Sequence, residues 1–96
     1  MYIILLTFSE NKSSASQHMG GHKAWIDKGV ADGIFLVVGS LQPNRGGAII
    51  AHGITPEALA KRLAEDPFVA EDVVKADVME VTPSITNDRL RFLLDG

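Results

Sequence analysis

Five residues of this 96-residue chain have the chemistry and the setting to build a polar site: His18, His22, Ser40, Arg45 and Asp66. His18 and His22 are four apart, so a helix places them on one face. That face also carries Ala15, Met19, Trp25 and Ile26, which makes it the side that packs against the rest of the fold. Imidazoles there are either hydrogen-bonded core residues or part of an enclosed site. Asp66 is the candidate partner for His22, because a carboxylate that orients an imidazole and stabilises its cation makes a general base. Its alternative is a helix-terminating Asp-Pro turn. Ser40 lies in Gly39-Ser40-Leu41, which lacks the G-x-S-x-G elbow of a nucleophilic serine. It reads as a substrate-facing hydroxyl or a turn residue. Arg45 is a candidate anion binder or simply a solvated loop side chain. Histidines at i and i+4 also suit a metal, with His52 as a third ligand. No glutamate follows His18 and there are no cysteines, so no metal and no cofactor is expected.

The bulk numbers set limits on partners. The formal net charge is −3, which gives no electrostatic case for nucleic acid or an anionic membrane. With 46% apolar and 22% charged residues, the composition is that of an ordinary globular domain. Met1–Phe8 is apolar but has no basic leader, and it falls short of the ~20 residues that span a bilayer. It is expected to be a buried strand of a cytoplasmic protein.

The elements that must position the site follow from pattern and caps. Residues 2–8 are rich in β-branched and aromatic side chains and form the first strand. The first helix is expected from Ser13 or Ser14 as N-cap to Gly29 as stop. Gly20-Gly21 in its middle costs roughly 1 kcal/mol each relative to alanine; the pair is either a local weakness or kink, or an opening that lets something approach the backbone beside His22. Gly33–Gly39 is the second strand, Ser40–Gly47 a hairpin loop and Ala48–His52 the third strand. Thr55-Pro56-Glu57 opens the second helix with a hydroxyl cap, a proline at the first helical position and an early acid. Its core stripe is Leu59, Ala60 and Leu63, and Pro67 ends it by Asp66. Phe68 and Val69 belong to a connection, and residues 73–82 make the fourth strand, closed by Pro83.

This β-α-β-β-α-β order predicts an α+β, ferredoxin-like protomer with a four-stranded antiparallel sheet. In it the two helices run side by side, bringing the start of the first near the end of the second and hence His22 near Asp66. Strands one to three are apolar on both faces, although only one face can carry the helices. An uncovered apolar face of that size predicts a homodimer. Residues 1–83 form the domain, and 84–96 a leucine-rich tail in which Thr86 caps a last short helix carrying Leu90, Leu93 and Leu94.

Several short segments together resemble the YciI-like (YCII-related) family of the dimeric α/β-barrel superfamily. They are His22 followed by Trp25, Gly39-Ser40-Leu41, Gly46-Gly47, and Glu65-Asp66-Pro67-Phe68, spread from the first strand to Pro83. The resemblance implies a face-to-face dimer and an active site built on a histidine–aspartate pair, which carries over onto His22 and Asp66, with Ser40 lining the same pocket. Gly20-Gly21 and the tail after Ser84 depart from the family's motif, and the tail is available to lie over the dimer or to promote higher assembly. Relatives include enzymes that remove chloride from hydroxylated aromatics and that isomerise lactones.

The expected function is therefore cofactor-independent acid–base chemistry of the lyase, isomerase or dehalogenase type on a small cyclic or aromatic substrate. His22 moves the proton, Asp66 orients it, and Ser40, His18 and Arg45 contact substrate. The alternative is a non-catalytic ligand-binding or assembly module with a structural His–Asp pair. RNA binding on a similar fold fails, because the third strand lacks stacking aromatics.

Overall fold

β1, Tyr2–Phe8, is the inner strand on which the sheet is built: it pairs antiparallel with β3, Gly46–Ala51, on one side and with β4, Val74–Glu80, on the other. β2, Phe35–Leu41, pairs antiparallel with β3, giving the order β2-β3-β1-β4. The helices are α1, Ala15–Ala31, α2, Pro56–Ala64, and the short α3, Pro67–Ala70. The computed structural model describes residues 1–94, and the arrangement is the α+β ferredoxin-like fold.

Alternation in β1 decides which face is which. Tyr2, Ile4 and Leu6 are buried with Trp25, Phe35, Ile49, Leu59 and Phe68 in one core beneath the helices. Full burial of side chains such as Ile4, Ile49 and Leu59 stabilises by roughly 1.5–3 kcal/mol each. Ile3 and Leu5 point to the opposite face, where their cross-strand partners are Ile50, Ala48, Met79 and Asp77. Val37 joins them opposite Ile50, and Val37 is 56% and Met79 45% exposed. No helix among the described residues is long and apolar enough to cross a membrane.

Several boundaries differ from the sequence reading, each for a physical reason. α1 does not stop at Gly29; it runs to Ala31, and Gly29 is buried inside it. Ser14 stands at its N-cap without a side-chain cap hydrogen bond. β2 and β3 are displaced toward their shared turn, because Gly46 and Gly47 pair with Leu41 and Ser40. Ser40 is thus a strand residue and not part of a loop. Residues 67–70 are helical and not a plain connection, and Ala60 is exposed while Leu59 and Leu63 are buried. In the tail, Asp88–Leu94 is a 3₁₀ helix whose start is held by Asn87 Oδ1, which accepts from the Arg89 N–H at 3.1 Å, and not by Thr86. Phe92 stacks edge-on against His52 at 5.2 Å, and Leu93 is buried. Residues 95 and 96 of that expected tail lie outside the described residues.

Close packing against α3 and β2 explains two of the three α1 glycines. A Cβ on Gly21 would come within 3.0 Å of the Pro67 ring, so this glycine lets α1 approach the start of α3. A Cβ on Gly29 would overlap the Phe35 ring, which is buried and packs edge-on against Trp25 at 5.0 Å. Gly20 faces open space, and nothing in the structure explains it. Gly29→Ala is therefore expected to lower stability by about 1–3 kcal/mol through overpacking, despite the better helix former. Gly20→Ala is expected to raise it by roughly 0.5–1 kcal/mol. Thermal melts of the two variants check the pair, and equal shifts would contradict it.

Candidate active site

The site begins with three consecutive residues, Asp66-Pro67-Phe68. Pro67 drives the residue before it out of helical geometry, and Asp66 has φ −69° and ψ 120°. That ends α2 and makes Asp66 the N-cap of α3, with Pro67 at the first position of the new helix. The Phe68 N–H donates to Asp66 Oδ1 at 3.0 Å. Asp66 is therefore more than the residue at which the second helix is expected to end. It sits at the start of the next helix, where a carboxylate is favoured.

His22 comes from α1 and lies over this cap. Its Nδ1 is 2.8 Å from the same Asp66 Oδ1. The imidazole side chain is 14% exposed and the carboxylate 0%. The two rings of His22 and Phe68 lie face to face, 3.9 Å apart with 4° between their planes, and Trp25 flanks His22 at 6.0 Å. Trp25 is itself fixed by its indole N–H donating to Arg62 O at 2.8 Å. The imidazole has little freedom to rotate. Because an ionised carboxylate only accepts hydrogen bonds, Nδ1 carries the proton in the neutral ring. Nε2 is then the basic nitrogen, and it has no hydrogen-bond partner among the described residues.

His22 lines a cleft of about 580 Å³ between α1 and the helix-side face of the sheet. That volume falls within the range of small-molecule sites, roughly 300–1,000 Å³. From α1 come Met19, His22, Lys23 and Ile26, the i, i+3, i+4, i+7 stripe of one helix face. Leu6, Val38 and Ile49 supply an apolar floor, and Phe68 closes the end beneath His22. Ser40, Gln42 and Asn44 bring neutral polar groups from β2 and its turn. The cleft is apolar with a few polar groups on its walls.

Of the five candidate residues, the structure brings three together. His22 and Asp66 are in contact, and Ser40 lines the cleft that His22 borders. His18 and Arg45 are not among its lining residues. Arg45 is exposed, and its main chain serves the turn: its N–H donates to Leu41 O and its carbonyl accepts from the Phe8 N–H. His52 is across the fold against Phe92. No three His, Cys, Asp or Glu side chains converge as metal ligands among the described residues.

Lys23, Gln42 and Asn44 line the cleft without a motif to mark them, and Phe68, expected in a connection, lines it as well. The heptad-like spacing of Met19, His22, Lys23 and Ile26 was the available signal for Lys23. At the far end of α1, Asp32 accepts from Lys28 at 3.2 Å and Arg62 at 3.1 Å. These two cations hold its carboxyl below the usual carboxylate range, Lys28 contributing most.

No protein-family model and no curated protein matches the sequence. Among solved structures, the chain is similar to 5-chloro-2-hydroxyhydroquinone dehydrochlorinase (TftG) from Burkholderia phenoliruptrix AC1100, in its complex with 2,5-dihydroxybenzoquinone. The TM-score is 0.68 at 13% identity, covering 84% of this chain and 93% of that one. The likeness establishes the shared fold.

Proposed function

We propose that this chain is a cofactor-independent acid–base enzyme of the YciI-like type, acting on a small cyclic or aromatic substrate. One observation carries the reading: His22 has one ring nitrogen held by a buried carboxylate and the other without a hydrogen-bond partner among the described residues, on a residue that borders an apolar cleft. In the mechanism, Nε2 takes a proton from a carbon next to a carbonyl or from a ring hydroxyl. The electron pair released moves onto the substrate oxygen as an enolate or phenolate, and Asp66 stabilises the imidazolium formed. An enolate then expels a leaving anion such as chloride from its β carbon, whereas a phenolate first takes the proton from His22 at the chlorine-bearing ring carbon and loses chloride as a second ring hydroxyl is deprotonated; return of the proton at a new carbon with nothing expelled is the other outcome. The first outcome is an elimination and the second an isomerisation; neither needs an oxidant. The fold shared with a dehydrochlorinase supports the elimination, as does the apolar cleft.

Ser40 has the role of donating to the developing oxygen anion, since it lines the cleft from β2. The test is turnover of chlorinated and unchlorinated hydroxylated aromatics in D2O, with chloride release and deuterium incorporation followed together. Neither signal from any member of the series, at stoichiometric enzyme, would sink the reading.

Two copies are further proposed to pack through the sheet face bearing Ile3, Leu5, Val37 and Ile50, completing a dimeric α/β barrel. Leu5→Asp places a charge in the centre of that face, opposite Ala48. Sedimentation is expected to give twice the chain mass for the wild type and the chain mass for the variant. A wild type that sediments as a single chain at micromolar concentration would refute the dimer.

A further inference from the structure

Among the described residues, the cleft is lined by one formal charge besides the titratable His22, and that charge is positive. Lys23 follows His22 on α1 and lines the same cleft. None of the other lining residues is acidic, and Asp66 lies beneath the imidazole, fully buried. The ion pairs of the described residues involve Lys28, Arg62, Arg91 and His22, and Lys23 takes part in none of them. On an ordinary exposed helix, a lysine on the stripe shared by Met19 and Ile26 would be solvated and without consequence. Here that stripe is the wall of an apolar recess, where a cation acts on whatever enters.

We infer that Lys23 is the specificity-determining residue of this site and that the cleft selects rings bearing an anionic oxygen. The inference rests on the enzyme reading only for the location of the site. An ammonium beside an apolar wall is less screened than one in open water. A charge-assisted hydrogen bond to an oxyanion is roughly twice as strong as its neutral counterpart. The space is also adequate, since a cavity of about 150 Å³ accommodates benzene and this cleft is about 580 Å³. A ring seated on Leu6, Val38 and Ile49 with its oxyanion at Lys23 leaves a second edge for Nε2 of His22. Charge recognition and proton transfer are then assigned to adjacent residues.

The experiment is calorimetric and needs no turnover. Benzoate, its neutral isostere benzamide, and 4-nitrophenolate with its neutral counterpart nitrobenzene are titrated into wild type, Lys23→Gln and Lys23→Arg. The wild type is expected to prefer at least one anion over its neutral counterpart by about tenfold, which corresponds to about 1.4 kcal/mol. Lys23→Gln is expected to erase the preference while still binding the neutral probe, and Lys23→Arg to keep it. Preference in the benzoate pair alone identifies the oxyanion as a carboxylate, and in the nitrophenolate pair alone as a ring oxygen. No preference in the wild type for either anion, or a preference that survives in Lys23→Gln, overturns the assignment. Failure of the enzyme reading would show instead as absent turnover with this charge selectivity intact.

Discussion

His22→Asn is expected to slow the proton-transfer step by about 10²–10⁴-fold while leaving the fold in place. The amide N–H of asparagine replaces the Nδ1–H that faces Asp66, so the buried carboxylate keeps a donor. What disappears is Nε2, which among the described residues shares the cleft wall with one other basic nitrogen, the Lys23 amine. His22→Ala is expected to be as inactive and also less stable. It strips the fully buried Asp66 of its side-chain hydrogen-bond donor, at a cost of about 1–3 kcal/mol. It also uncovers the face of Phe68 that the imidazole occupies. Turnover in D2O and thermal melts, run on both variants, separate the two losses. Wild-type rates in His22→Asn would remove His22 from the mechanism, whatever its stability.

That a base could stand here was legible because the sequence marks its long elements strongly. Three strands apolar on both faces, together with the Thr55-Pro56-Glu57 cap, left few arrangements other than β-α-β-β-α-β. The antiparallel order β2-β3-β1-β4 follows that pattern. Once two helices share a sheet face, the approach of His22 to the end of α2 is a consequence of topology, and the structure brings His22 and Asp66 to 2.8 Å. The details that escaped are the short-range ones. α3 spans four residues, too few for any periodicity, so the change of Asp66 from helix end to helix cap was hidden. β2 is displaced by two residues because pairing with Gly46 and Gly47 outweighs the local turn signal of Ser40. Gly29 reads as a stop, yet Phe35 in the next strand demands it within the helix. Lys23 is a charge on an otherwise apolar stripe, and only the shape of the cleft distinguishes it from a solvated lysine.

Asp66 holds two roles at once, and paired substitutions separate them. Its Oδ1 accepts both the Phe68 N–H and the His22 ring N–H. Asp66→Ala removes the cap, at about 1 kcal/mol, and leaves the half-buried imidazole nitrogen unpaired, at about 1–3 kcal/mol. A loss of about 2–4 kcal/mol is expected, with a melting temperature lower by roughly 10–25 °C for a chain of this size. Asp66→Asn keeps an oxygen able to accept both hydrogen bonds, so its stability is expected to fall by only about 1 kcal/mol or less. It removes the negative charge, however, and an imidazolium formed during proton transfer then has no counter-charge. Exchanges of this kind behind a catalytic histidine cost up to about 10⁴ in rate. A stable and inactive Asp66→Asn therefore assigns the carboxylate to chemistry. Asp66→Asn with wild-type turnover, beside an unstable Asp66→Ala, would make Asp66 a cap and the His–Asp contact structural. The two outcomes differ because capping needs an acceptor atom, whereas orienting a base needs the charge as well.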